Sequence, residues 1–217
     1  MKEIWERFEA WIDRYANLLL DDLNGGAEEE HFEPIEKAIR SELPQAFKEF
    51  YRIHDGQYSE SEEGLIDTHI LLPLEQMLSI WAQLRHQFDE GAFDDLESEP
   101  QEGIRMEWWN PYWLPLTTDK AGSFIFMDFA PSRQGNLGQI IYMPRDSAER
   151  ILLAPSFEAW INRYVRHLEE GHYRYSERMG GIIQKQRLNG VSDDSQHSFW
   201  HDSENDDLEG FEVLKEE

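Results

Sequence analysis

Four consecutive apolar residues, Phe124-Ile125-Phe126-Met127, stand between the turn Asp119-Lys120-Ala121-Gly122 and the carboxylate Asp128. A strand with one wet face alternates apolar and polar side chains. An unbroken run of this length is what a strand covered on both faces is expected to show. A chain that contains it is therefore expected to supply a layer of structure on each side. Two neighbouring stretches read the same way: Tyr112–Thr118 before the turn, and Gln139–Met143 after the loop of Pro131 to Gly138. The short links predict an antiparallel meander.

The covering layers are legible as helices. Residues 4–23 place Ile4, Phe8, Trp11, Ile12, Tyr15, Leu18 and Leu19 on one stripe, and Asn24-Gly25-Gly26 supplies the stop. A second helix spans Glu28 to Glu42 or starts at Pro34, with Ile35, Ala38 and Ile39 inward. A third follows Leu43-Pro44, carries Phe47, Phe50, Tyr51 and His54, and ends at Asp55-Gly56. Leu65-Ile66 and His69–Leu72 suit short strands. Pro73 opens a helix with Leu74, Met77, Leu78, Trp81 and Leu84 on one face. Ser156 is placed to cap a last helix with the stripe Phe157, Trp160, Ile161, Tyr164, Val165 and Leu168. The fold class is α+β: a twisted, mostly antiparallel sheet packed with helices. The domain is expected over residues 1–171, followed by an acidic, disordered tail over 172–217. Phe199, Trp200, Phe211, Val213 and Leu214 interrupt that tail, which is either inert, the favoured reading, or docks as a short linear motif.

Charge divides along the same line. The chain has 45 acidic and 20 basic residues, a net charge of −25. Residues 1–107 carry −18 of this and residues 171–217 carry −6, while residues 108–170 are almost neutral at −1. Residues 89–107 are dense in Asp and Glu and read as a solvated loop. Such a balance argues against direct contact with a nucleic-acid backbone, which takes concentrated Lys and Arg. No apolar run approaches the ~20 residues of a membrane helix, and no secretory signal is expected at the start. With no cysteine, a disulfide framework and thiolate metal sites are ruled out.

No reactive constellation emerges. None of the six lysines follows a glycine, so there is no phosphate loop of the G-x-x-x-x-G-K-[ST] kind. G-x-G-x-x-G, H-E-x-x-H and G-x-S-x-G are absent too. His197 and His201 have helical chelate spacing but lie in a polar, Ser-rich segment. No catalytic residue, metal or cofactor is assigned. His54 is expected to cap the last carbonyls of its helix as a cation, the other role being a base held by Asp55. Trp108, Trp109, Tyr112 and Trp113 serve either as core and rim of the sheet or as a stacking platform. The structural role is favoured, with Trp109 the outward member. Asp119 suits a turn in which it bonds its own backbone. Asp128 ends an apolar strand and must find donors or solvent.

These residues together resemble the Smi1/Knr4 family, also called the SUKH superfamily. The resemblance runs through Leu43-Pro44, Phe47, Phe50-Tyr51 and His54-Asp55-Gly56-Gln57, then Gly64-Leu65-Ile66 and Leu71-Leu72-Pro73-Leu74. It continues in Asn110-Pro111-Tyr112-Trp113-Leu114-Pro115-Leu116, Asp119, Gly122, Asp128, Pro131, Gly135 and Gly138-Gln139-Ile140-Ile141. Arg145-Asp146 and Ser156-Phe157 complete the order over about residues 1–170. Ser123 departs from the acidic or amide residue that relatives often carry there. Most of these residues specify turns and helix ends, so the resemblance implies a binding domain.

The family implies two roles. Many bacterial members look like cytoplasmic immunity proteins that neutralise a toxin, frequently a nuclease; fungal members act as hubs linking cell-wall synthesis to signalling. The first is the leading expectation, because a nuclease is basic and an acidic inhibitor is steered to it. The partner is then a basic toxin domain, met by Glu60, Glu62, Glu63, Asp94, Asp95, Glu97 and Glu99, with Trp109 as aromatic anchor. The alternative is an intracellular scaffold or regulator of cell-wall synthesis.

Overall fold

A computed structural model describes residues 1–185. Helices α1 (Lys2–Tyr15) and α2 (Leu18–Asp21) divide the first amphipathic stripe, and the break at Ala16 leaves Tyr15 and Leu18 exposed rather than on its buried side. A 3-10 turn over Glu29–His31 leads into α3 (Glu33–Ile39), so Pro34 sits in the first turn, where its missing N–H costs nothing. Helix α4 (Gln45–Tyr51) ends three residues before His54. Strand β1 (Ile70–Leu71) precedes α5 (Leu74–Asp89), and β2 (Glu99–Pro100) lies within the acidic stretch that follows.

The meander is β3 (Trp113–Thr118), β4 (Phe124–Asp128), β5 (Gln139–Met143) and β6 (Glu149–Ala154). It has one strand more than the sequence reading supplied. The six-stranded sheet runs β1-β3-β4-β5-β6-β2, antiparallel except for the β2–β6 pair. Pro115 lies at a register shift between β3 and β4, where a missing strand N–H is tolerated.

Both faces of the sheet are covered, as the apolar run predicts. Leu114, Leu116, Ile125, Met127 and Ile140 point into the larger core with α1, α4 and α6 (Phe157–Glu169). Trp113, Phe126, Ile141 and Met143 point the other way, into a second cluster. Helix α5 serves both: Leu74 and Met77 join the larger core, while Trp81 and Leu84 pack on the second cluster. The Ser156 hydroxyl accepts the Ala159 N–H and caps α6.

Two segments are more ordered than their composition suggests. The expected tail starts too early. Residues 173–184 form an antiparallel hairpin, β7 (Tyr173–Ser176) and β8 (Gly181–Gln184), docked on the domain. Thr68 N donates to Ile182 O at 2.7 Å, and Ile182 N donates to Gly64 O at 3.0 Å. This approach needs glycine: a Cβ on Gly181, at φ +124°, would lie 2.2 Å from the Gly64 carbonyl oxygen. Residues 89–107 are not simply a solvated loop. They contribute β2, bury Ser98 and Ile104, and pack Phe93 against Trp109. Buried Arg150 fastens their end, its Nε and Nη2 donating to Trp108 O at 3.1 and 2.7 Å beneath the Trp108 ring. The docking motif around Phe199 and Trp200, and the His197/His201 pair, lie outside the described residues.

Candidate functional site

The polar members of the sequence pattern are occupied in building the domain. Buried Gln57 joins three segments. Its Oε1 accepts the N–H groups of Leu65 and Leu71 at 3.1 and 2.9 Å, and its Nε2 donates to Glu63 O at 2.9 Å. Beside it, Gly56 has φ +62°, and a Cβ there would meet the Leu72 carbonyl at 2.6 Å. Asp55 caps α5 from outside, Oδ1 accepting Leu74 N–H at 2.8 Å. Burial raises the Asp55 carboxyl above its ordinary value, against the pull of that hydrogen bond. His54 does not cap α4. Its Nδ1 lies 2.8 Å from Asn24 O and its Nε2 lies 2.7 Å from Glu9, because the chain has already left the helix. Nor do His54 and Asp55 form a base pair of the catalytic kind, since each has other partners.

On the sheet, Asp128 is fully buried. It accepts Trp113 Nε1–H at 2.9 Å and Ala130 N–H at 2.7 Å on Oδ1, and Gln139 Nε2–H at 2.8 Å on Oδ2. Burial raises its carboxyl above the ordinary value despite these donors. Gln139 Nε2 also reaches Gly103 O at 2.9 Å, and Gly138 N donates to Asp128 O at 2.8 Å. At the β3–β4 turn, one oxygen of Asp119 accepts the N–H groups of Ala121, Gly122 and Ser123 at 2.8, 2.9 and 2.9 Å. Burial opposes ionisation there, but the hydrogen bonds, Ser123's first, outweigh it and hold the carboxyl low.

The seven expected contact carboxylates fall in two separate segments of the chain. Glu60, Glu62 and Glu63 lie in the loop flanking β1, and Asp94, Asp95, Glu97 and Glu99 lie on or before β2. Strands β1 and β2 themselves are the opposite edges of the sheet, five spacings or about 24 Å apart. Glu63 is half-buried and accepts the Tyr175 hydroxyl at 2.8 Å, so it serves the hairpin. Trp109 is not the exposed aromatic: it is 1% exposed, beneath Phe88 and Phe93. The two phenyl rings come from α5 and the segment after it, which nothing adjacent to Trp109 in sequence announces. Trp108 is the half-buried member of the pair.

The structure instead assembles a groove that sequence reasoning missed. It lies between α3 and α5, encloses about 300 Å³, and has Ile35 and Leu74 at its base with Pro34 and Leu78 beside them. Glu30, Asp55 and Glu75 surround this apolar floor, with His31 at the rim. These residues are spread over nearly fifty positions of sequence. Only the packing of α3 on α5 unites them, so no local spacing could have revealed the set. Chemically the groove offers negative charge around an apolar seat. Among the described residues no group of three His, Asp or Glu is arranged to hold a metal ion, and no helix is long and apolar enough to cross a membrane.

The groove, the Gln57 junction and the Asp119–Asp128–Gln139 turns all fall within residues 26–163, the segment matched by the profile of the SMI1 / KNR4 family (SUKH-1). The chain belongs to that family. It is similar to SMI1/KNR4 proteins of several fungi. It is 26% identical to KNR4/SMI1 homolog 2 of Debaryomyces hansenii, over 85% of this chain and 38% of that protein. Against the cell wall biosynthesis/cell cycle regulator smi1 of Schizosaccharomyces pombe, identity is 25% over 82% of this chain and 38% of the relative. Against the cell wall assembly regulator SMI1 of Saccharomyces cerevisiae, it is 22% over 78% and 40%. The chain thus spans about two fifths of the length of these SMI1/KNR4 relatives. Helix α1 and the β7–β8 hairpin lie outside the family match and complete the larger core.

Proposed function

We propose that this chain is a non-catalytic protein-interaction domain of the kind found in fungal cell-wall regulators. The observation that carries this reading is the use made of the motif residues. Gln57, Asp119, Asp128 and Gln139 each spend their polar atoms on backbone groups, on one another or on the buried Trp113 indole. A reaction centre needs a nucleophile and a base facing free space; a binding domain needs a rigid frame under an accessible surface. The names of the relatives, cell wall assembly regulator and cell wall biosynthesis/cell cycle regulator, favour this reading over toxin neutralisation. A cytoplasmic location belongs to the same proposal.

The test is a domain exchange. The chain replaces the matching segment of the Saccharomyces cerevisiae regulator, and growth is measured under cell-wall stress. Restored growth supports the reading. A stably expressed chimera that behaves like a deletion contradicts it.

A further inference from the structure

The groove between α3 and α5 has a charge pattern that its own neighbours lack. Glu29, Glu33 and Glu36 lie in the same stretch of chain, and each is paired with a cation: Arg52, Lys37 and Lys48 respectively. Glu30, Asp55 and Glu75, which line the groove, have no Lys or Arg partner among the described residues, and the one basic side chain in the lining is His31. Nor is an anion the fitting occupant. The positive N-terminal end of α5 is already answered by Asp55 on Leu74 N–H and by Glu75 in the first turn. What remains unmatched is negative charge around an apolar floor. At about 300 Å³, the groove is at the small end of ligand sites and suits one or two side chains.

We infer that this groove seats a peptide segment of a partner protein that presents an arginine or lysine beside an apolar side chain. The inference rests on the reading of the chain as an interaction domain, and it names the partner chemistry for that domain. The cation meets Glu30 and Glu75 at the rim. The apolar side chain covers Pro34 and Leu78 and gains by leaving water. Charge supplies orientation and encounter rate, while the floor supplies the contact that excludes solvent.

The test uses the full chain, labelled with nitrogen-15, and three nine-residue peptides. They share a central X-Leu pair, with X as arginine, citrulline or glutamate. Citrulline keeps the shape of arginine and removes its charge. The arginine peptide is expected to shift the amides of Ile35, Asp55, Glu75 and Leu78. Citrulline should weaken binding about tenfold, glutamate should abolish it, and added salt should weaken the arginine complex. The double variant Glu30→Gln, Glu75→Gln should weaken the arginine peptide to a similar degree while the melting temperature falls by no more than about 4 °C, the loss expected from neutralising the exposed first-turn carboxylate of α5. Equal binding of arginine and citrulline peptides, shifts confined to another surface, or no shift at millimolar peptide would overturn the inference. The domain exchange separates the two ideas. A chimera that works equally well with the double Gln change sinks the groove and leaves the interaction-domain reading standing. A chimera that fails with its groove intact sinks that reading.

Discussion

Trp113 and Asp128 face each other across β3 and β4, and the indole N–H of Trp113 donates to the Asp128 carboxylate at 2.9 Å. Two further donors, Ala130 N–H and Gln139 Nε2–H, meet the same carboxylate. Removing the acceptor therefore orphans the buried Trp113 and Ala130 N–H groups and leaves Gln139 Nε2 with Gly103 O alone. Asp128→Ala is expected to lower unfolding free energy by about 3 kcal/mol or more, and Trp113→Ala by more again because a buried ring is lost too. Urea denaturation of both variants checks the values and their order.

Gln57 makes a second such junction. Gln57→Leu leaves two N–H groups and one carbonyl without partners, with an expected cost of about 3 kcal/mol. Gln57→Glu keeps an acceptor for Leu65 and Leu71 but sets a carboxylate oxygen against Glu63 O, so it remains destabilising as well. Amide exchange at Leu65 and Leu71 should rise in the Leu variant before the sheet core is affected.

Helical and strand periods made part of this architecture legible. The stripe from Phe157 to Leu168 and the cap at Ser156 are local features, and α6 follows them closely. The run Phe124–Met127 gave both the strand and its two-sided burial. Strand β6 was hidden because a charged residue, Arg150, occupies a buried position; its guanidinium is satisfied by carbonyls of Trp108, Ser147 and Glu149. The β7–β8 hairpin was hidden because its order comes from contacts with residues 64–68, more than a hundred positions away. Trp109 and the groove share that cause: their surroundings are tertiary.

Acid titration should separate the two turn aspartates. Asp128 has a folded-state pKa above its ordinary value of 3.8, so its contribution to stability is best below that value and is lost as pH rises through the folded pKa. Asp119 has a folded-state pKa below 3.8, so its contribution is present above that value and is lost as pH falls through the folded pKa. The stability difference between the parent chain and Asp128→Asn should therefore decrease as pH rises from about 3 to 6. The difference for Asp119→Asn should increase over the lower part of the same range. Parallel slopes for the two variants would refute the assignment.

Hairpin docking depends on the close pass of Gly181 over Gly64. Gly181→Val adds both a clash and a disfavoured φ, and it should free the hairpin at a cost of about 2 kcal/mol. Hydrogen exchange at Thr68 and Ile182 should quicken, with Trp160 and Phe126 neighbourhoods remaining protected. If Thr68 stays protected, the hairpin is held by other contacts.

The decisive measurement asks whether the motif residues do anything besides hold the fold. Gln57→Leu, Asp119→Asn and Asp128→Asn are each placed in the domain-exchange chimera, and melting temperature and growth under cell-wall stress are measured together. Growth is predicted to follow the folded fraction of each variant and to return when the temperature is lowered. A variant that melts like the parent chain yet gives no growth under stress would contradict a purely architectural role and point to a reaction or ligand at that residue.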